Sequence, residues 1–303
     1  MKLITILLVI FVERISKPWP KIRNYHWFNR YVASFYHRCQ KTTWLDNGFG
    51  VLMVVTSSIL PAVIPQYFIA QTHGNLGWGI SLLFSLLVLF YVIGPRTEDA
   101  SIDDYLVAWK RDDTDAAYLS ARQLLGDDSV LERTKITRKI IAFILLQSNE
   151  RFLGVIFWFV ILGPAGAFLY RLSCEMKMFA QNKGNNESGF IEAGIRLHAI
   201  LDWLPVRITG LGYAMAGSFV DAIQSMHRAI KNRDTDWVSR NQKVVIESGM
   251  GALQLGGINY DSFELADANV IAEQIQAARS LVKRSLITWL VVFAILTITG
   301  WLS

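Results

Sequence analysis

Residues 285–302, SLITWLVVFAILTITGWL, run eighteen positions without a charged side chain. As a helix this stretch is roughly 27 Å long, close to the hydrocarbon thickness of a bilayer. It has companions. GFGVLMVVTSSILPAVIPQYFIA (48–70) and GWGISLLFSLLVLFYVIG (77–94) are also uncharged, and the uncharged QTHGN (71–75) joins them as a tight hairpin. FLGVIFWFVILGPAGAFLY (152–170) is a further apolar run. A chain in lipid must satisfy its backbone internally, so such runs fold as helices. Charged residues make up 18% of the chain, against about 25% in soluble domains. The expectation is an all-α, polytopic membrane protein: five to six membrane helices, one broken by Gly and Pro, plus amphipathic cytoplasmic helices.

The first residues, MKLITILLVIF, are apolar, but Glu13-Arg14 follows and no small-x-small cleavage site is present. They read as an uncleaved short membrane or re-entrant helix. Loop 17–47 carries six Lys/Arg, loop 96–151 nine and segment 227–284 eight, whereas 71–76 carries none and 171–203 four. The positive-inside rule puts the three basic regions in the cytoplasm and both termini outside. The whole chain, 1–303, reads as one membrane domain in the bacterial inner membrane, with 96–151 and 227–284 as cytoplasmic helical segments. The net charge of +5 is that of membrane-flanking cations and calls for no nucleic-acid partner.

Ser101 to Asp104 has the spacing of a capping box, followed by YLVAWK and AAYLSARQLL, which suit two amphipathic helices. The aspartates at 103–104, 112–113 and 127–128 read as a solvated face with turn residues rather than a magnesium site. Asp261 and Glu264 form a second capping pattern, and Ile271, Ile275, Ala278 and Val282 then recur at helical spacing. Cys39 and Cys174 form no CxxC, so no zinc or redox site is expected.

Polar residues concentrate in RLHAILDWLPVRIT (196–209), just before the small-residue run GLGYAMAGSFV (210–220). Gly210, Ala214 and Ser218, with Gly212 and Ala216 beside them, have the spacing that lets membrane helices approach closely, so 204–220 reads as a span inside the bundle. Arg207 is then either an interfacial anchor or a cavity-facing residue that holds an anion. The spacing 196/200/203/207 puts Arg196 and Arg207 on one face if the helix survives Pro205, which disfavours helix at Leu204. In GPAGA (163–167), Pro164 cannot bond the carbonyl of Val160, and Gly163 and Gly166 flank it. The helix kinks there for packing, or breaks to line a cavity. ESGMGALQLGGINY (247–260) is glycine-rich without being a P-loop or a dinucleotide fingerprint.

Three stretches in order, ERFLGVIFWFVILGPAGAFLYRL (150–172), RLHAILDWLPVRIT (196–209) and GMGALQLGGINY (249–260), resemble the AmpE membrane proteins of Gram-negative bacteria. Those proteins are named for modulating β-lactamase induction alongside a cytosolic anhydro-muropeptide amidase. The same pattern is similar, more distantly, to the CobD/CbiB synthases, which attach an aminopropanol arm to adenosylcobyric acid using ATP and magnesium. Against that family, Trp203, Pro205 and Arg207 are kept and Asp202 replaces an asparagine. His198-Ala199 stands where an Asp pair is expected. Cys174-Glu175-Met176-Lys177 replaces Asn-Thr-Leu-Asp, and a Glu-Asn pair falls near Leu146 and Gln147. Gly256, Gly257, Asn259 and Tyr260 match the family's glycine-rich element.

The resemblance implies a synthase scaffold whose acidic positions have been exchanged. The expectation is a non-enzymatic membrane sensor linked to β-lactamase induction and cell-wall stress, with no catalytic residue, metal or cofactor. Arg196, Asp202, Pro205 and Arg207, closed over by Gly256, Gly257, Asn259 and Tyr260, would take a muropeptide or a nucleotide. Gly163, Pro164 and Gly166 would shape the cavity. The bilayer and a functional link to the amidase complete the expected partners. The first alternative is a membrane transferase of the adenosylcobinamide-phosphate synthase type using ATP and magnesium, with Asp103, Asp104 or Asp112 supplying the metal. The second is a transporter, against which the lack of internal repeats weighs.

Overall fold

A computed structural model describes residues 2–15, 25–39, 46, 48–72, 74–93, 97–111, 113–125, 133–183, 188–232, 236–255 and 268–300. Among them every regular element is helical, so the protein is an all-α membrane protein. The helices are α1 (Lys2–Ile15), α2 (His26–Cys39), α3 (Gly48–Ala70), α4 (Asn75–Val92), α5 (Thr97–Lys110), α6 (Thr114–Leu125), α7 (Arg133–Ser148), α8 (Gly154–Leu162), α9 (Pro164–Asn182), α10 (Gly189–Ala216), α11 (Phe219–Lys231), α12 (Trp237–Ala252) and α13 (Ala268–Ile298). A π-helical turn, Asn149–Leu153, joins α7 to α8. Among the described residues, three helical stretches are long and apolar enough to cross a membrane: Gly48–Ala70, Ile136–Leu162 and Asn269–Ile298, with Gly77–Val92 a shorter apolar helix.

Two expected spans are redrawn. The run 152–170 is not one helix, because the span begins at Ile136 and ends at Leu162. The run 204–220 is not one either: α10 ends at Ala216, and the amide of Ser218 turns to the carbonyl of Ala252 at 2.9 Å. Gly217 permits this, since a Cβ there would lie 2.5 Å from that carbonyl oxygen.

The chain forms two compact units. The first comprises Met1–Pro95, Glu150–Pro205 and Phe293–Ser303. In it α9 packs against α2, α3, α4 and α8, and α1 packs against α4 and α8. Its apolar core includes Phe28, Val32, Tyr36, Val54, Leu172, Met176 and Phe190. Along α3 the side chains away from this core, such as Leu60, Ile64, Tyr67 and Phe68, are exposed. That apolar stripe is what a lipid-facing helix presents.

The second unit comprises Arg96–Asn149 and Val206–Val292. Its core is aliphatic: Ile140, Ile141 and Leu145 of α7, Val244 and Val245 of α12, and Ile271, Ile275, Ala278 and Leu281 of α13. Ile271, Ile275 and Ala278 follow the helical spacing that the sequence pattern predicts, while Leu281 is in the core and Val282, the fourth expected position, only packs against it partly buried. The small residues of α10 do their expected work here: a Cβ on Gly210 would lie 2.9 Å from Met226 Sδ, and one on Gly212 would lie 2.5 Å from Trp289 Nε1. Ser101 is no helix cap, because α5 already begins at Thr97. The real cap nearby is Asp113, whose Oδ1 accepts the Ala116 amide at 3.0 Å. Asp103 pairs with Arg279 at 2.6 Å. Asp112, Asp127, Asp128, Asp261 and Glu264 lie outside the described residues.

Candidate functional site: a buried charge cluster

Two prolines shape the first unit, and each leaves a carbonyl without its helical donor. At Pro164 the helix breaks rather than kinks. Gly163 takes φ +72°, ψ −157°, and α9 restarts with Pro164 in its first turn. The orphaned carbonyl of Val160 accepts the Lys2 ammonium at 2.8 Å. Gln66 of α3 clamps the break: its Nε2 donates to Leu162 O at 3.0 Å and its Oε1 accepts the Ala165 amide at 2.8 Å. Gly166 keeps the two helices close, since a Cβ there would lie 2.5 Å from Trp158 O. At Pro205, by contrast, α10 runs on unbroken. The carbonyl it orphans, Leu201 O, accepts the Trp158 indole N–H at 3.0 Å.

The continuous α10 sorts the polar stretch by face. Arg196 is exposed and pairs with the equally exposed Glu192 at 2.5 Å. Ile200 and Trp203 are exposed with it. The opposite face buries His198 and Asp202, one turn apart. The structure therefore places Asp202 inside, with Pro205 buried beside it, and leaves Arg196 outside. Arg207, part-buried in the second unit, has Arg240 as an electrostatic neighbour. Gly256, Gly257, Asn259 and Tyr260 lie outside the described residues.

Around His198 and Asp202 gathers a set that the sequence pattern only partly foretells. The Tyr170 hydroxyl donates to Asp202 Oδ1 at 2.7 Å. Gly154 makes room for that ring, because a Cβ at 154 would lie 2.4 Å from its Cζ and hydroxyl oxygen. Ser173 donates to the Tyr170 carbonyl at 2.6 Å, and its oxygen stands 3.2 Å from His198 Nδ1. With the Ser173 hydrogen so committed, the hydrogen-bond network assigns the ring hydrogen to Nδ1. His198 Nε2 then faces Glu150 Oε1 at 4.0 Å and Asp202 Oδ2 at 3.9 Å, with no hydrogen bond among the described residues.

Glu150 itself is gripped by Lys177, Nζ to Oε1, at 2.5 Å. A second pair, Arg171–Glu175 at 2.9 Å, sits on the same helix as Lys177, with Arg171 stacked 5.1 Å over Tyr25. A third, Arg151–Glu13 at 2.6 Å, is buried on both sides. The π turn sets the directions of Glu150 and Arg151. Such turns recur at functional sites, and this one was not legible in the sequence. Leu146 and Gln147, where the resemblance puts the family's Glu-Asn pair, carry no acid, but Asn149 and Glu150 follow them in the π turn. In the second unit Asn149 Oδ1 accepts from Thr209 at 2.7 Å.

The magnesium implied by the CobD/CbiB resemblance does not fit this donor set. Magnesium takes oxygen ligands in near-octahedral array. Here Glu150 holds an ammonium, Asp202 holds a phenol, Glu175 holds a guanidinium, and an imidazole edges between the first two. The set is chemically suited to hold a polar group, with Lys177 as donor and His198 Nε2, which carries no hydrogen in this network, as acceptor.

Comparison with known proteins gives this site its setting. A model of the CobD/Cbib protein family matches residues 6–290. Curated relatives include the cobalamin biosynthesis protein CobD of Stutzerimonas stutzeri, 25% identical over 81% of this chain and 80% of its own length. The CobD of Chromobacterium violaceum is 25% identical over 59% of this chain and 57% of its own. A probable cobalamin biosynthesis protein CobD of Methanothermobacter thermautotrophicus is 27% identical over 54% and 53%. No solved structure matches. These relatives overturn the expectation of a sensor for β-lactamase induction: the names carried by the matched proteins are those of cobalamin biosynthesis. The departures at His198 and Lys177 had argued for a non-catalytic role, yet the match runs through both positions. With residues 6–290 of 303 matched, the chain belongs to the CobD/Cbib protein family.

Proposed function

We propose that the chain acts in cobalamin biosynthesis at the bacterial inner membrane, as a transferase that joins a corrinoid carboxylate to an aminopropanol arm. ATP is the co-substrate, cleaved to ADP and phosphate as the amide forms. The observation that carries this reading is the family match over residues 6–290. The buried charge cluster supports it. Ionisable groups inside a membrane protein are costly to keep, and they mark ligand or proton sites. Glu150, Lys177, His198 and Asp202 form such a set within one unit. In this reading Lys177 orients an anionic part of the substrate or nucleotide, His198 Nε2 accepts a hydrogen bond from a polar group of it, and Tyr170 holds Asp202 in place. Within the family we place the chain in an AmpE-like branch, on the ordered motifs 150–172, 196–209 and 249–260. That placement carries no activity of its own.

The test is complementation of a bacterium whose own CobD gene is deleted, scored by corrinoid-dependent growth. Restored growth, lost in Glu150→Gln, supports the reading. If the chain reaches the membrane and fails where the Stutzerimonas relative succeeds, the transferase reading is wrong.

A further inference from the structure

We propose that Lys177 is a resident cation, standing where the family's chemistry implies a divalent metal ion, so that this cluster is complete without metal. The resemblance aligns Lys177 with an aspartate, and the structure shows what the exchange does. The Lys177 ammonium lies 2.5 Å from Glu150 Oε1, with the two side chains only 10% and 21% exposed. The same oxygen is 4.0 Å from His198 Nε2. A divalent ion bound to Glu150 would stand within a few ångströms of this ammonium. At that range like charges repel strongly wherever water is scarce. The neighbouring Asp202 and Glu175 are each engaged by a donor, Tyr170 and Arg171.

The charge arithmetic is direct. Replacing an aspartate by a lysine raises the local charge by two, which is the charge that a divalent ion brings. Lysine and metal are therefore alternatives at this place. Lys177→Asp should remove the built-in cation, leave Glu150 and a new carboxylate facing each other, and create a site for a hard ion.

The experiment uses the full chain in detergent, titrated with manganese(II) and followed by the electron paramagnetic resonance of the free aqua ion. Wild-type protein should leave the free signal unchanged. Lys177→Asp should deplete it stoichiometrically, and adding Glu150→Gln should restore it. Depletion by the wild type that disappears in Glu150→Gln would overturn the proposal. So would a folded Lys177→Asp protein that leaves the signal intact. Should Lys177→Asp elute as aggregate on gel filtration, Lys177→Asn reads the same change with weaker binding. The proposal rests on the transferase reading only for naming the ion it replaces. Failed complementation would sink that reading and leave the manganese result standing, and manganese uptake by the wild type would do the reverse.

Discussion

The indole N–H of Trp158 donates to the carbonyl of Leu201 at 3.0 Å, and Leu201 is the residue whose helical partner Pro205 has removed. One side chain on α8 thus makes an unbroken α10 compatible with an internal proline. A carbonyl left without a donor in an apolar setting costs about 1–3 kcal/mol. Trp158→Phe should lower the thermal midpoint in detergent accordingly. In a Pro205→Ala background the same change should cost less, because the helix then supplies its own amide. Equal losses in both backgrounds, measured as a double-mutant cycle, would show that the indole does not serve this carbonyl.

Gly154→Ala should be among the most damaging single-methyl additions in the chain. The added Cβ would lie 2.4 Å from Tyr170 Cζ, and overpacking of this kind costs about 1–3 kcal/mol. Displacement of Tyr170 also frees Asp202 from its 2.7 Å bond. A lower midpoint with loss of complementation is expected. Tyr170→Phe, which keeps the ring and drops the hydroxyl, should cost less stability and separate the two effects.

The Arg151–Glu13 pair ties α1 to the π turn with both side chains buried. Removing one partner of a buried pair strands the other, at about 3–5 kcal/mol. Glu13→Leu or Arg151→Met alone should destabilise strongly, and the double replacement should lose less than either. Differential scanning fluorimetry of the three variants checks this ordering.

Asp46 gives a pH prediction outside the apolar spans. Its Oδ1 accepts the Ser188 hydroxyl at 2.5 Å and the Phe190 amide at 3.0 Å, at the start of α10. The Ser188 hydrogen bond, helped by the backbone amides, holds its carboxyl below the usual carboxylate value. The sign follows. A depressed folded-state pKa stabilises above the unfolded value of about 3.9 and loses that contribution as pH falls through the folded value. Asp46→Ala should cost on the order of 1 kcal/mol at neutral pH, as a lost cap does. Wild type and variant should converge in acid. A difference that persists unchanged in strong acid would refute the assignment.

How much of this was legible in the sequence depends on what each residue answers to. Gly163 and Pro164 announce a kink or a break by covalent geometry alone, and of the two the structure has the break. Asp202 is inside, as its place in an apolar stretch suggests. Arg196 is not inside, because the helical spacing 196/200/203 that it shares with Ile200 and Trp203 runs along the exposed face. Burial on α10 follows His198 and Asp202 instead. Pro205 misleads for a related reason: the donor that lets the helix continue, Trp158, sits forty-three residues before the orphaned carbonyl of Leu201, and no local rule contains it. Glu150 sits in a π turn, which has no signature in the sequence. Lys177 stood out only as a departure from a resemblance, and its partner needed the fold.

The π turn at Asn149–Leu153 fits one more residue into its loop than an α-turn does. Glu150 and Arg151 lie in that turn, and from it they reach Lys177 and Glu13 within the first unit. The residue count of the turn thus decides which side chains its wider loop presents. Deleting a single residue there would leave each side chain chemically intact and change which of them faces these partners. A one-residue gap in this turn in some other member of the family would mark a protein whose buried charges are partnered differently, whatever its remaining similarity.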